Sequence, residues 1–155
     1  MNYVCTLLAV TDLEKSKKFY KDVLGLAVTG DFGANVILSG GLSLQTVGTW
    51  KDFLHKKSEE IVFGGNGCEL YFEEDDIDSF MERLKALPDI QYVHPLTEHS
   101  WGQRVVRFYD PDRHIIEVGE SINFVVKRFM KSGLSVEETA ARMDVPADYV
   151  RARLF

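Results

Sequence analysis

Two glutamates carry the chemistry that this chain most directly suggests. Glu69 and Glu117 stand in the short apolar runs CELYFE and HIIEVGE, where strand alternation turns each to one side of a sheet. A carboxylate among aliphatics is costly unless it is paired or coordinated. Two roles answer to that placement. One is to hold a cation while a carboxylate takes a proton from a substrate carbon; the other is a hydrogen-bonded pair meeting Arg104 or Gln45. Arg104 offers a planar fork for a substrate carboxylate or phosphate, or an ion pair with Glu117 or Glu73. Tyr71 falls on the Glu69 side. A hairpin closed by the four residues DPDR pairs Val106 with Glu117, which places Arg104 and Phe108 on the Glu117 side. Trp101, His94 and His99 lie in or beside PLTEHSWGQR, where Trp101 suits a rim and His99 reads as solvated loop. Cys5, on the inward side of the first strand, reads as a small buried hydrophobe.

The elements that position these residues are legible from periodicity. Val4 to Val10 reads as a strand, and Asp12 caps a helix through about Leu24 that ends at Gly25. The strand-like runs LAVTGDF, ANVILS and LSLQTV follow, broken at Gly33 and Gly40-Gly41. The same order then returns: CELYFE, a helix capped by Asp76, and the runs DIQYVHPL, GQRVVRFY and HIIEVGE. An offset of 64 carries Asp12 onto Asp76 and Cys5 onto Glu69. The chain is thus an α+β fold of paired βαβββ repeats, about 1–47 and 67–120, forming a curved sheet around a cavity. Trp50, Phe53 and Leu54 make an apolar helical stripe in the linker, read as packing over the sheet edge.

Composition bounds the setting. The 155 residues suit one sizeable core, and no apolar run approaches the ~20 residues of a membrane span. The start carries no basic leader, and two cysteines make no disulfide framework, so the expected location is the cytoplasm. A net charge of −6 argues against wholesale binding to nucleic acid or anionic lipid.

LLAVTDLEKSKKFYKDVLGL and WGQRVVRFYDPDRHIIEVGE, with CELYFEEDDIDSF, resemble the opening and closing motifs of the vicinal oxygen chelate superfamily, which includes glyoxalases, bleomycin-resistance proteins and extradiol dioxygenases. The likeness spans roughly residues 3–120. It implies a glyoxalase-like lyase, isomerase or epimerase, with a divalent ion among Mg, Mn, Ni and Zn held at inward positions that fall on Cys5, Gln45, Glu69 and Glu117. Gln45, Glu69 and Glu117 are the expected ligands, and an oxygen-rich set suits Mg or Mn best. In that reading Glu69 and Glu117 are catalytic, while Arg104, Tyr71, Phe108, Trp101 and Cys5 bind substrate. The resemblance equally admits a metal-free small-molecule-binding or drug-resistance protein. A two-His-one-carboxylate iron site is absent from the motifs.

Residues 121–155 belong to neither repeat. They carry six Lys/Arg against four Asp/Glu, and Ser135 to Glu138 form a capping box. The segment resembles a helix-turn-helix, with Asp144 where the turn glycine is usual. A ligand-sensing regulator is a third reading, although nucleic acid is an unfavoured partner for so weakly basic a tail. The expected packing buries Phe124, Val125, Phe129, Met130, Leu134, Val145, Tyr149 and Val150 against the body or a second subunit, in a homodimer.

Overall fold

The computed structural model describes residues 1–154, which divide into two compact units: Met1–Cys68 with Asp110–His114, and Glu69–Tyr109 with Ile115 onward. In the first, β1 (Thr6–Val10) leads into α1 (Leu13–Leu24), followed by β2 (Val28–Asp31), β3 (Asn35–Leu38), β4 (Leu42–Thr46) and the short α2 (Val47–Phe53). The Asp12 side chain accepts the Lys15 amide at 3.0 Å, and Gly25 closes the helix in the left-handed region at φ 69°; that conformation is costly for any residue with a Cβ. Strand order is β1-β4-β3-β2. Leu8, Val10, Val36, Leu38, Leu42 and Leu44 are buried on one face, with Tyr20 of α1 wholly enclosed.

The second unit repeats the plan. It has β5 (Glu69–Glu74), α3 (Ile77–Ala86, capped by Asp76), β6 (Gln91–Glu98), β7 (Arg104–Tyr109) and β8 (Ile115–Glu120). Its order, β5-β8-β7-β6, copies the first. The mixed α+β fold of duplicated βαβββ repeats is therefore borne out, as two open four-stranded sheets. Phe72 and Leu70 share a face with Ile116, Val118, Val106 and Phe108, and Phe108 packs near Phe80 of α3 at 6.4 Å between ring centres.

Three helices end the chain: α4 (Ile122–Lys131), α5 (Val136–Met143) and α6 (Ala147–Arg151). Ser135 and Glu138 close the capping box in both directions. Val125, Val126, Phe129, Ala140, Met143 and Val150 form a cluster of the tail's own, with Met130, Leu134 and Val145 packed against it. Phe124 departs from expectation and stays 40% exposed. In the linker stripe, Trp50 is half-buried on α2, which packs against β4 and the edge strand β1, while Phe53 and Leu54 stay exposed. Among the described residues, no helix is long and apolar enough to cross a membrane.

Candidate functional site

The β7–β8 hairpin decides which side chains share a face with Glu117. Its loop takes five residues: the Asp110 amide donates to the His114 carbonyl, and Arg113 adopts φ 68°. Tyr109 consequently pairs with Ile115, Arg107 with Glu117 and Val106 with Val118. Pairing one residue out exchanges the faces. Arg104 and Phe108 thus lie opposite Glu117, on the helix-packed side, and the expectation that they bind substrate beside it is corrected. Arg104 pairs with Asp78 and Glu120, rather than with Glu117 or Glu73.

Arg107 takes the vacated role. Its Nε donates to Glu69 Oε2 at 2.8 Å and its Nη2 to Glu69 Oε1 at 3.4 Å, while Nη2 also meets Glu117 Oε2 as an ion pair. Oε2 of Glu117 is thus buried with that guanidinium as its partner. The Glu117 side chain is 7% exposed against 37% for Glu69, which makes Glu117 the carboxylate most dependent on the guanidinium. Arg107 Nη1 lies 3.2 Å from His94 Nε2, and His94 Nδ1 lies 2.8 Å from the Pro95 carbonyl. A neutral imidazole protonated on Nδ1 satisfies both contacts.

Tyr71 stands on the same face, opposite Glu117 across the β5–β8 pairing. Its hydroxyl donates to Glu73 at 3.0 Å and accepts from Gln103 Nε2 at 2.9 Å. Burial raises the Tyr71 phenol above its ordinary value; the Gln103 bond opposes that shift and Glu73 adds to it. Gln103 also donates to the Glu120 carbonyl and accepts from the Trp101 indole N–H at 3.2 Å. A side chain on Gly119 would meet Gln103 Nε2 at 2.8 Å, so the close approach needs glycine there. His99, expected to be solvated, stacks on Trp101 with ring centres 4.2 Å apart. Burial, then the nearby Arg107 charge, hold its pKa below the usual imidazole value.

In the first unit Gln45 is buried and used locally. Asn35 Nδ2 donates to its Oε1 at 2.8 Å, and its Nε2 donates to Thr49 Oγ1. The repeat register corrects its expected equivalence with Glu117. Leu7 pairs with Ser43 as Tyr71 pairs with Glu117, while Ala9 pairs with Gln45 as Glu73 pairs with Gly119. Ser43 is therefore the counterpart of Glu117. Cys5 is half-buried just ahead of β1.

A divalent ion fits this donor set poorly. Glu69 and Glu117 already share one guanidinium as their partner, and no group of three or more His, Cys, Asp or Glu converges among the described residues. Arg107 and Gln103 were the residues that sequence reading missed. A five-residue loop at DPDR would have turned Arg107 to the Glu117 side, whereas nothing in the sequence marks Gln103.

Known proteins align with the duplicated part. A model of the glyoxalase-like domain matches residues 3–123. A crystal structure of a protein of unknown function from Agrobacterium tumefaciens str. C58 is 38% identical, covering 79% of this chain and 95% of its own, at TM-score 0.71. The uncharacterized protein YraH of Bacillus subtilis (strain 168) is 29% identical over 123 residues, 72% of this chain and 91% of that protein. A glyoxalase/bleomycin resistance protein/dioxygenase from Nocardioides is 21% identical, covering 77% and 83%, at TM-score 0.64, a likeness of fold.

Proposed function

Because the chain belongs to the glyoxalase-like domain family, we propose that it binds a small amine-bearing or cationic molecule on the Glu117 face of its second sheet, with no resident metal ion. The observation that carries this reading is Arg107, which stands between Glu69 and Glu117 as a built-in cation. One guanidinium against Glu69, Glu73 and Glu117 leaves the face anionic, which favours a positively charged ligand. Tyr71 and Trp101, both partly exposed, supply aromatic faces for an alkyl or cationic group. Arg104 and Phe108 have no part in this binding.

A second reading rests on Glu117 itself, buried with its Oε2 against the Arg107 guanidinium, which can steady a developing anion beside it. A buried carboxylate so placed can take a proton from a bound carbon acid, which is the step a lyase, isomerase or epimerase requires. The working form in either reading is a cytoplasmic homodimer that does not use nucleic acid.

Calorimetric titration of the full chain, purified without chelator, tests the proposal. Benzylammonium should bind more tightly than benzyl alcohol and lose that preference in E69Q/E117Q, while Mn²⁺, Mg²⁺, Ni²⁺ and Zn²⁺ give no specific heat. Saturable Mn²⁺ binding that disappears in E117Q would replace this reading with the metalloenzyme, in which Gln45, Glu69 and Glu117 were the expected ligands.

A further inference from the structure

A cleft of about 580 Å³ opens on the other side of the second unit, lined by Asp78, Glu98, Arg104, Phe124, Lys127, Arg128 and Lys131. Its size is that of a small-ligand site. Four of these residues lie on α4 at positions 124, 127, 128 and 131, the i, i+3, i+4, i+7 spacing of a single helix face. The matched glyoxalase-like domain stops at residue 123, so this wall comes from outside it.

The charges of the cleft do not cancel. Arg104 is committed to Asp78 and Glu120, and Arg128 to Glu120 and the Gly102 carbonyl. Glu98 is paired with Arg142 at 3.0 Å. Lys127 and Lys131 remain, one helical turn apart, with no ion-pair partner among the described residues. Beside them Phe124 is 40% exposed although neighbouring Val125 and Val126 are fully buried. An apolar ring next to two uncompensated ammonium groups presents a flat hydrophobic face and a dianion receptor together.

We propose that this cleft is a second binding site, for a small dianion carrying an aromatic group, of the phosphate monoester type. The ring packs on Phe124, and the phosphate oxygens bridge Lys127 and Lys131, with Arg128 Nη1 as a further donor. The site is independent of the Glu117 face, because none of its lining residues lies there.

Phenyl phosphate, inorganic phosphate and phenol are the probes, titrated into the full chain by calorimetry. Phenyl phosphate should bind saturably, more weakly as salt rises, and at least about ten-fold more tightly than either fragment. K127Q/K131Q, two exposed substitutions checked by thermal melt, should weaken it about ten-fold or more. F124A should bring phenyl phosphate down to the level of inorganic phosphate, and R107M/E117Q, in which no buried charge is stranded, should leave it unchanged. Absence of saturable binding, an unaltered affinity in K127Q/K131Q, or equal affinities for phenyl phosphate and phosphate would each overturn the site. Loss in R107M/E117Q alone, with the fold checked by thermal melt, would assign the binding to the Glu117 face instead.

Discussion

Arg107 concentrates the physics of the second sheet in one side chain. It pairs with a buried carboxylate, Glu117, and with a partly solvated one, Glu69. The pairing with Glu69 contributes little, since solvent screens it. Removing the guanidinium strands Glu117, and stranding a buried charge costs about 3–5 kcal/mol. R107M should lose that order of stability in urea unfolding, and E117Q placed in the R107M background should recover most of it. Independent losses in the two single variants, adding in the double, would show that the pair is not coupled. The sequence disclosed the two glutamates, because alternation within each strand is a local signal. It hid their partner because facing across a hairpin depends on one loop residue. Arg113 in the left-handed region lengthens the loop and moves Arg107 to where Arg104 was expected. Gln45 was misplaced for a related reason: the pairing that makes Ser43 the counterpart of Glu117 spans two strands and a helix.

At the scale of elements, local chemistry was a sound guide. Asp12 and Asp76, one repeat apart, both accept an N3 amide at 3.0 Å. D12A and D76A should each cost about 1 kcal/mol by loss of the cap. Equal losses would fit the duplicated plan; a negligible loss at either site would show that tertiary packing alone holds that helix end. Contacts distant in sequence were not legible. Gly102, at φ 88°, lies so close to Phe129 of α4 that an added Cβ would sit 2.1 Å from the ring. Arg128 and Arg142 both approach the same ring, at 5.0 and 5.7 Å. G102A should therefore destabilise by about 2 kcal/mol or more, from left-handed strain and overpacking together. F129L should relieve the overpacking part, read as a negative coupling in a double-variant cycle. If the ring is not the obstacle, G102A will cost the same in both backgrounds.

The molecule as a whole is a duplicated domain whose second half carries a helical tail, and Glu120 is where the two meet. Burial alone would raise its carboxyl pKa; hydrogen bonds and charge from Arg128 and Arg104 outweigh that and hold it below the usual glutamate range. A depressed folded-state value means stabilisation that is complete above the ordinary value of 4.5 and is lost as pH falls through the folded one. The melting-temperature gap between wild type and E120Q should accordingly be widest near neutral pH and close in acid. A gap independent of pH would assign the effect to packing. The tail also grips the loop between β6 and β7. Arg128 donates to the Gly102 carbonyl, Arg142 to the Ser100 carbonyl and to Glu98, and Phe129 lies against Gly102. Through Gln103 and Trp101 that loop reaches Tyr71 on the Glu117 face. Ending the chain after Glu120 removes each of these holds at once and leaves Arg104 as the sole guanidinium on Glu120. The truncated chain should lose several kcal/mol, and amide exchange at residues 98–103 should accelerate more than in β5 or β8. A tail that merely hung from the domain would leave both readings untouched. An unchanged melting temperature, joined to salt-dependent duplex binding by the full chain, would instead favour a regulator that reads nucleic acid.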